Sequence, residues 1–451
     1  MSDRKEAEKK SSKGRKLIVC GKTKTIFECK KEPGQGYFVA NDLITKNDDP
    51  SQTEKMSQKG VWATATTCNV FQLLKDAGLP VAFTEQTGKR EFLAPICKMI
   101  NLEVIIRRNA VGSFLKRSPH LTQSEGEPPL RFHSLVFELF LKTTGGKIVD
   151  RFGDKVGKLP IDPSKKKKLR LDDPFISNPY DKEWNLYWPK KPAWEVDANL
   201  GISIEAKGIL PPGVTVKKIE ELARFCFLVL ERAWAIACGD RLIDYKIEFG
   251  ITPDGELMIT DVIDNDSWRK RDRFWTETSK QLFRDDEKME LIAYNYKKVA
   301  ELSKRLRIPE QALIVWRGSD RDPLVKIPDV SGVNFVDVIE SGHKKPVKAS
   351  KKLESILNAF PEGGVIIAEV GMSNGLGPIL AARTSWQVIS WAVSSKSFPE
   401  DIWSSVRMPS HVPNVTVMGE KNAVLAAFNV LSLGNPAAYA HRQLAIEKLD
   451  D

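Results

Sequence analysis

Long apolar runs are missing from this sequence, and none approaches the roughly 18 residues that a membrane-spanning helix needs. The charged residues 1–16 also lack the apolar core of a secretion signal. Cysteine is sparse, with six scattered thiols in 451 residues and no C-x-x-C pair. This scatter argues against a disulfide framework or a zinc site. We therefore expect a cytoplasmic protein with reduced cysteines and no membrane partner.

The charge that is present is mainly positive. Lys and Arg total 69 and Asp and Glu total 59, which gives a net charge of +10, and 41% of the residues are hydrophobic. This composition excludes a disordered or fibrous chain. A basic chain binds either nucleic acid or small anions, and composition alone leaves both open. The four lysines at 165–168 form either a solvated loop or a patch for nucleic acid or nuclear import.

Hydrophobic periodicity divides the chain into two domains. We expect a flexible charged tail over 1–16 and an α+β domain over 17–305. A Gly- and Pro-rich segment at about 143–213 interrupts this domain and is either a functional loop or an insertion. Over 312–451, strand and helix patterns alternate. This order predicts a doubly wound parallel α/β sheet that binds ligands at the carboxyl ends of its strands.

Two features of the first domain indicate a phosphate-binding site. The turn Gly21–Lys24 lies between two predicted strands, and its glycine and lysines suit a phosphate although the full Walker pattern is missing. Period-two alternation places Asp244, Lys246 and Glu248 on one strand face, where they face solvent, pair with one another or line a site. Glu248 and Asp261, near the ends of paired strands, could hold Mg²⁺ on ATP phosphates. The alternative is a solvent-facing acidic loop.

These motifs, in this order, resemble the SAICAR synthetase family of purine biosynthesis. The resemblance covers residues 17–290 and rests on the segments 21–24, 107–117, 244–250, 261–269 and 280–285. It implies a kinase-like ATP-binding topology and the ATP-dependent ligation of L-aspartate to CAIR, which gives SAICAR through an acyl phosphate. It also implies a catalytic role for Lys246, ATP binding by Gly21, Lys22, Lys24 and Glu248, Mg²⁺ binding by Glu248 and Asp261, and substrate binding by Arg107, Ser113, Asp266, Arg269 and Arg284.

Three turns of small residues follow predicted strands of the second domain, at Gly318–Asp322, Ser341–Pro346 and Gly371–Pro378. His343 lies inside one of them and suits acid–base chemistry near neutrality, although a lone histidine is often a surface or capping residue. Together the turns resemble class II AIR carboxylases, which implies the addition of CO2 to AIR to give CAIR without ATP or biotin. The implied roles are proton transfer by His343 and binding of ribose phosphate and CO2 by Ser319, Asp322, Ser341, Ser373 and Asn374.

The order of the two halves is that of the animal bifunctional enzymes, so the resemblance implies both reactions on one chain and a homo-octamer assembled through the second domain. Arg321 and Gly342 depart from the carboxylase pattern. Pro323, Pro328 and Gly332 interrupt a segment where that family has a helix. A synthetase whose second domain is an inactive assembly platform therefore remains an alternative. A basic nucleic-acid-binding protein on this scaffold is a further, less favoured one.

Overall fold

The computed structural model describes residues 15–46, 52–163 and 169–449. Most of the expected tail and the lysine block at 165–168 lie outside these residues. The chain divides into two compact units, 1–306 and 307–451. All six cysteines are free thiols, as expected from their spacing. Within the described ranges, no helix is both long and apolar enough to cross a bilayer.

Antiparallel sheets make up most of the first unit. Its described strands are β1 (Leu17–Cys20), β2 (Lys24–Glu28), β3 (Gln35–Ala40), β4 (Leu43–Thr45), β5 (Thr53–Lys55), β6 (Glu85–Gly88), β7 (Glu91–Pro95), β8 (Lys98–Met99), β9 (Leu102–Asn109), β10 (Arg131–Leu141), β11 (Lys147–Val149), β12 (Lys155–Lys158), β13 (Phe175–Ile176), β14 (Glu183–Tyr187), β15 (Asn199–Glu205), β16 (Arg241–Ile251), β17 (Leu257–Thr260) and β18 (Trp268–Arg271). One sheet has the order β1-β2-β3-β7-β6. A larger sheet has the order β15-β14-β13-β10-β9-β16-β17, and β8 and β18 also pair with β16.

The described helices of the first unit flank these sheets. They are α1 (Lys59–Asp76), α2 (Ser113–Arg117), α3 (Ala206–Ile209), α4 (Val216–Cys238), α5 (Gln281–Arg284) and α6 (Met289–Ser303). The apolar spacing predicts a long amphipathic helix at α4, and the structure confirms it. Thr215 caps its first turn by accepting a hydrogen bond from the Lys218 N–H, and Gly239 ends it at φ 76°. α4 contacts β16, so it stiffens the strand that bears the alternating charges.

The segment 143–213 contains strands as well as loops. β13, β14 and β15 extend the large sheet beyond β10. The Thr143 N–H donates to Asp173 Oδ1 at 2.8 Å, and the Gly146 N–H donates to Asp172 Oδ1 at 2.7 Å. These bonds hold the start of the segment, at 143–146, against residues 172 and 173 just before β13. The expectation of a loop is therefore wrong for the part that forms β13 to β15, where exposure alternates with period two in β15.

The second unit is a five-stranded parallel sheet in the described residues. Its elements are β19 (Gln311–Arg317), β20 (Val333–Ile339), α7 (Pro346–Ala359), β21 (Gly364–Val370), α8 (Leu376–Ala381), β22 (Gln387–Ala392), α9 (Trp403–Val406), β23 (Val415–Val417), α10 (Glu420–Leu431) and α11 (Pro436–Glu447). The strand order is β20-β19-β21-β22-β23, with every pair parallel. α7 and α8 pack on one face, in a core with Ile314 and Ile366, and α10 contacts β21 and β22. This confirms the expected doubly wound α/β fold.

The sheet order places a crevice beside β19. β20 lies on one side of β19 and β21 lies on the other, so the order in which the strands are added to the sheet reverses at β19. In open α/β sheets, ligands bind at such a reversal, beside the carboxyl ends of the strands. Residues 318–332 contain no helix, as Pro323, Pro328 and Gly332 predict. The turns that follow β19, β20 and β21 therefore meet at this edge of the sheet.

Candidate functional site

A cleft in the first unit collects most of the predicted ligase residues. Its volume is about 240 Å³, and the turn after β1, β3, α1, β16 and the loop after β17 all contribute to its wall. Phe38, Phe92 and Ala63 form an apolar part of this wall, while Thr64 and Thr67 bring hydroxyls that have no hydrogen-bond partner among the described residues. The predicted residues that line the cleft are Lys22, Lys24, Lys246, Glu248, Asp261, Asp266 and Arg284.

The basic turn at one end of the cleft is held in shape by its own backbone. The Gly21 N–H donates to the Lys24 carbonyl at 2.8 Å, which closes the hairpin between β1 and β2. Asn41, which directly follows β3, also holds the turn, because its Nδ2 donates to the Lys22 carbonyl at 2.9 Å. Lys24 forms an ion pair with Asp261 across the cleft. Gly21 therefore shapes the turn, while the two lysines face the cavity.

Glu248 and Asp261 form the carboxylate pair of the cleft. Glu248 pairs with Thr260 in the β16–β17 ladder, so Asp261 follows directly beside it. One Glu248 oxygen accepts a hydrogen bond from Lys142, and the other, Oε2, is buried without a partner among the described residues. Asp261 has φ 69°, a conformation that non-glycine residues rarely adopt outside functional or strained sites.

These two carboxylates fit a magnesium ion that is bound together with phosphates. In the part of the chain that the structure describes, no three His, Cys, Asp or Glu side chains are close enough to hold a metal by themselves. Mg²⁺ commonly takes one or two protein carboxylates and completes its octahedron with substrate phosphates and water. The unpartnered Glu248 Oε2 is the kind of oxygen that such an ion would satisfy.

Lys246 lies between Asp244 and Glu248 on β16. Its Nζ is 2.6 Å from Glu103 Oε1 and 4.0 Å from Glu248 Oε1. Asp244, at the other end of the row, is only 4% exposed and pairs with Arg107 and Arg269. The alternation in the sequence is therefore confirmed. Of the three charges, only Lys246 and Glu248 lie near one another and line the cleft, whereas Asp244 pairs with arginines of other elements.

Asp266 is a second acidic centre in the wall of the cleft. Lys59 Nζ is 2.9 Å from its Oδ2, Lys280 Nζ is 3.5 Å away, and the Tyr296 hydroxyl donates to its Oδ1. Burial alone would raise the pKa of Asp266, but the charges of Lys59 and Lys280 hold it well below its usual range. Burial raises the pKa of the neighbouring Asp264 to about 6, and the charge of Asp266 adds to this shift.

Sequence reasoning missed Lys59 as a cleft residue, and it gave Asp264 and Lys280 no role although both lie in the segments 261–269 and 280–285. Lys59 did leave a signal, because it is the first residue of α1, where the positive end of the helix dipole disfavours a cation. A lysine at that position needs a compensating anion, and the sequence does not show which anion that is.

Three of the predicted substrate-binding residues lie close together but do not line the cleft. They are Arg107, Ser113 and Arg269. Arg107 is 1% exposed, its Nε is 2.5 Å from Glu138 Oε2, and its guanidinium also pairs with Asp244. Arg269 Nη1 is 2.5 Å from the same Asp244 carboxylate, and Ser113 Oγ accepts from Arg107 at 3.4 Å. These contacts hold the loop after β9 against β16. Direct substrate contact by these three residues stays a prediction.

The second unit places His343 beside the loop after β21. His343 Nε2 is 3.1 Å from the Ser373 carbonyl oxygen. A neutral imidazole that donates from Nε2 to this carbonyl has Nδ1 free to accept a proton. The contact is tight, because a Cβ on Gly375 would lie 2.2 Å from the His343 ring, and a Cβ on Gly342 would lie 2.9 Å from Leu376 Cα. Glycine at 342 therefore fits this packing, although it departs from the carboxylase pattern.

The other predicted residues of the second unit shape the turns around His343. Asn374 is buried, with its Nδ2 donating to Ser390 Oγ at 2.8 Å and Ser405 Oγ at 3.1 Å, while its Oδ1 accepts from the Gly377 N–H at 2.8 Å. The Ser319 N–H donates to Asp322 Oδ2 at 2.9 Å, and Ser341 Oγ accepts from the Lys344 N–H at 3.2 Å. Ser373 is exposed. Their roles toward a substrate stay predictions.

Glu369, near the carboxyl end of β21, is a further residue that the sequence did not reveal. It is 3% exposed, and neither carboxylate oxygen has a hydrogen-bond partner among the described residues. Burial raises its pKa to about 8, with Arg317 opposing and nearby carboxylates supporting the shift. Glu369 is therefore mostly protonated at neutral pH, and the folded unit takes up a proton at this position.

This proton uptake makes the second unit less stable as pH rises. The pKa of glutamate in an unfolded chain is about 4.3, so from about pH 4 to pH 8 the folded state binds more protons than the unfolded state and loses stability. We expect Glu369→Gln to raise the free energy of unfolding by about 5 kcal/mol near pH 8.5 and to change it little near pH 4.5. Calorimetric unfolding of the full chain at both pH values measures this, with the exposed Glu354→Gln of α7 as the control. An equal change at both pH values would contradict the explanation.

Together, the cleft of the first unit and the turns of the second unit carry the charged and hydroxyl side chains that are typical of enzymes acting on anionic substrates. The sequence profile of SAICAR synthetase matches residues 17–152 and 202–301, and that of AIR carboxylase matches residues 320–448. The chain belongs to the SAICAR synthetase family and carries an AIR carboxylase domain after it, which confirms the expected order of the two halves.

Relatives span both domains. The chain is 33% identical to "Probable multifunctional protein ADE2" of Caenorhabditis elegans, over 93% of this chain and 90% of that protein. It is 28% identical to the human "Bifunctional phosphoribosylaminoimidazole carboxylase/phosphoribosylaminoimidazole succinocarboxamide synthetase", over 96% of this chain and 93% of that protein. A solved structure, "SAICAR synthetase (Type-2) in complex with ADP", is 20% identical over 64% of this chain and 97% of that one, with a TM-score of 0.45. The relatives do not favour a nucleic-acid-binding function.

Proposed function

We propose that this chain catalyses two consecutive reactions of purine biosynthesis, the carboxylation of AIR to CAIR and the ATP-dependent ligation of CAIR with L-aspartate to SAICAR. The observation that carries the proposal is the cleft of the first unit. There, two lysines, the carboxylate pair Glu248 and Asp261, and the second acidic centre at Asp266 line one cavity, in the part of the chain that matches the synthetase family.

In the ligation, a carboxylate must first become a better acyl donor. ATP supplies this by phosphorylating the carboxylate of CAIR, and the amine of aspartate then displaces phosphate. Lys22 and Lys24 offset the charge of the transferred phosphates, and the apolar wall at Phe38 and Phe92 suits the adenine ring. Glu248 and Asp261 would hold Mg²⁺, which when bound neutralises phosphate charge. The protein's part is mainly to position the substrates and stabilise charge.

In the carboxylation, CO2 bonds to C4 of AIR and the C4 proton leaves. His343 receives that proton at Nδ1, since the Ser373 carbonyl engages its Nε2. The electron pair of the C4–H bond returns to the imidazole ring, and no ATP or biotin is needed for this step. Ser319, Asp322 and Ser341, in the turns after β19 and β20, are the residues we assign to the ribose phosphate and CO2.

Asp261→Asn tests the ligase half of this proposal. We expect purified wild-type protein to convert CAIR into SAICAR only when ATP and L-aspartate are both present, and the variant to be slower by about 10²-fold, because it lacks one of the two carboxylates that would hold the ion. SAICAR and ADP are quantified by chromatography. Asp254→Asn, in the exposed turn before β17, is the control and should match the wild type. Absence of SAICAR from the wild type would overturn the proposal.

We also propose that the protein acts in the cytoplasm as a homo-octamer formed through the second unit, with its small-molecule substrates as partners and without nucleic acid. The family resemblance supports this assembly. The edge strand β20 also exposes two apolar side chains, Phe335 and Ile339, which could be buried between subunits. Light scattering on the purified protein measures the mass directly. A monomer of about 50.7 kDa would contradict the octamer.

A further inference from the structure

Lys59 occupies an unfavourable place for a cation. Its side chain is 2% exposed, so its ammonium group has lost most of its contact with water. It is also the first residue of α1, where the helix dipole is positive. A methionine at this position would avoid both costs. The ammonium group is therefore compensated by its surroundings, and its acidic partner is Asp266, with Nζ 2.9 Å from Oδ2.

The contacts around Asp266 fix the orientation of its carboxylate. Lys59 and Lys280 both lie at Oδ2, and the Tyr296 hydroxyl donates to Oδ1. The Asp266 N–H donates to Asp264 Oδ1 at 2.8 Å, which fixes the backbone as well. Because both oxygens are held from the side of α1 and α6, the carboxylate has little freedom to rotate. It still lines the cleft together with Lys59.

We propose that Lys59 is a positioning residue for the ligase reaction, which holds Asp266 ionised and oriented so that this carboxylate can bind the imidazole ribonucleotide substrate. The inference rests on the proposed function of the cleft. The titratable and charged groups around Asp266 and its partner Tyr296 come from several elements. They are Lys59 of α1, Lys280 before α5, Arg284 of α5, Tyr296 of α6 and Asp264 of the same loop.

Removal of the Lys59 charge should change the pH dependence of substrate binding. Lys59 and Lys280 lower the pKa of Asp266, and without Lys59 that pKa rises. The ionised fraction of Asp266 then falls at a higher pH than in the wild type. A role in substrate binding therefore predicts a larger KM for CAIR at the acid end of the range, with recovery as pH rises.

The test is Lys59→Met, with kcat and KM for CAIR measured between about pH 6 and pH 9. We expect KM to rise on the order of 10-fold because Asp266 loses a contact that orients it, with the larger rise at the acid end of the range, while kcat changes less than KM. Lys59→Arg keeps the charge and should restore part of the affinity. Lys75→Met is the matched control, because Lys75 is an exposed lysine in the last turn of the same helix.

Tyr296→Phe provides a second variant that introduces no unpaired buried charge. It removes the hydrogen bond to Asp266 Oδ1 and should shift the acid limb in the same direction by a smaller amount. A uniform fall in kcat/KM at every pH, or an unchanged KM in Lys59→Met, would overturn the inference. SAICAR formation by the wild type separates the two proposals. Its absence contradicts both, whereas its presence with an unchanged Lys59→Met variant contradicts only the role of Lys59.

Discussion

Glu248→Gln is expected to lower SAICAR formation by about 10²–10³-fold while carboxylation of AIR stays unchanged. Glu248 pairs with Lys142 through Oε1, whereas its Oε2 is buried in the cleft without a hydrogen-bond partner among the described residues and is the oxygen left for a cation. Glutamine keeps the size of the side chain and removes the negative charge that would bind a phosphate-bound cation. Steady-state rates of SAICAR and CAIR formation, measured on the same preparation, give both halves of the result.

A matched control distinguishes this effect from a general loss of structure. Glu256→Gln changes an exposed glutamate in the turn between β16 and β17 and should leave both activities intact. Glu248→Gln itself should melt near the wild-type temperature, because its amide oxygen can still accept from Lys142 while the charge at the unpartnered Oε2 is removed. A variant that stays folded and keeps full ligase activity would contradict the assignment of Glu248 to the reaction.

His343→Gln is expected to lower carboxylation of AIR by about 10²–10⁴-fold and to leave ligation of added CAIR unchanged. Glutamine can still donate to the Ser373 carbonyl, which is 3.1 Å from the histidine Nε2, so the turn should keep its shape. It cannot accept the C4 proton near neutrality. Incorporation of labelled bicarbonate into CAIR measures the first activity, and SAICAR formation from CAIR measures the second.

His411→Asn is the control for this substitution. His411 is an exposed histidine of the same unit with φ 64°, a conformation that asparagine also tolerates. We expect it to carboxylate AIR at the wild-type rate. Retention of carboxylation by His343→Gln would show that another group takes the proton. Equal losses in both histidine variants would point to damage to the unit as a whole.

Strong local patterns made much of the fold predictable. The apolar spacing of α4 and the continuous apolar run of β21 lie where the sequence predicts a helix and a buried strand. The charges of β16 also fall on one face, because strand alternation depends only on the backbone. For the same reason, Glu248 and Asp261 could be expected to meet once β16 and β17 were recognised as neighbours.

Contacts between distant parts of the chain were not predictable. Lys59 and Asp266 are separated by 207 positions, and no local pattern marks either as the partner of the other. Arg107 looks in sequence like an exposed ligand for an anion, yet folding places it between Glu138 and Asp244. Likewise, β13 has only two residues, and the place of β13 to β15 in the large sheet depends on its pairing with β10. Tertiary packing decides each of these features.

The most direct test of the central claim is a single reaction that contains only this protein, AIR, labelled bicarbonate, ATP, L-aspartate and Mg²⁺. The proposed function predicts that the label appears in SAICAR, since both steps occur on one chain. His343→Gln should block this transfer until CAIR is added, and Glu248→Gln should accumulate labelled CAIR. Label that never reaches SAICAR, or that reaches it only when a separate carboxylase is supplied, would contradict the claim that one chain performs both reactions.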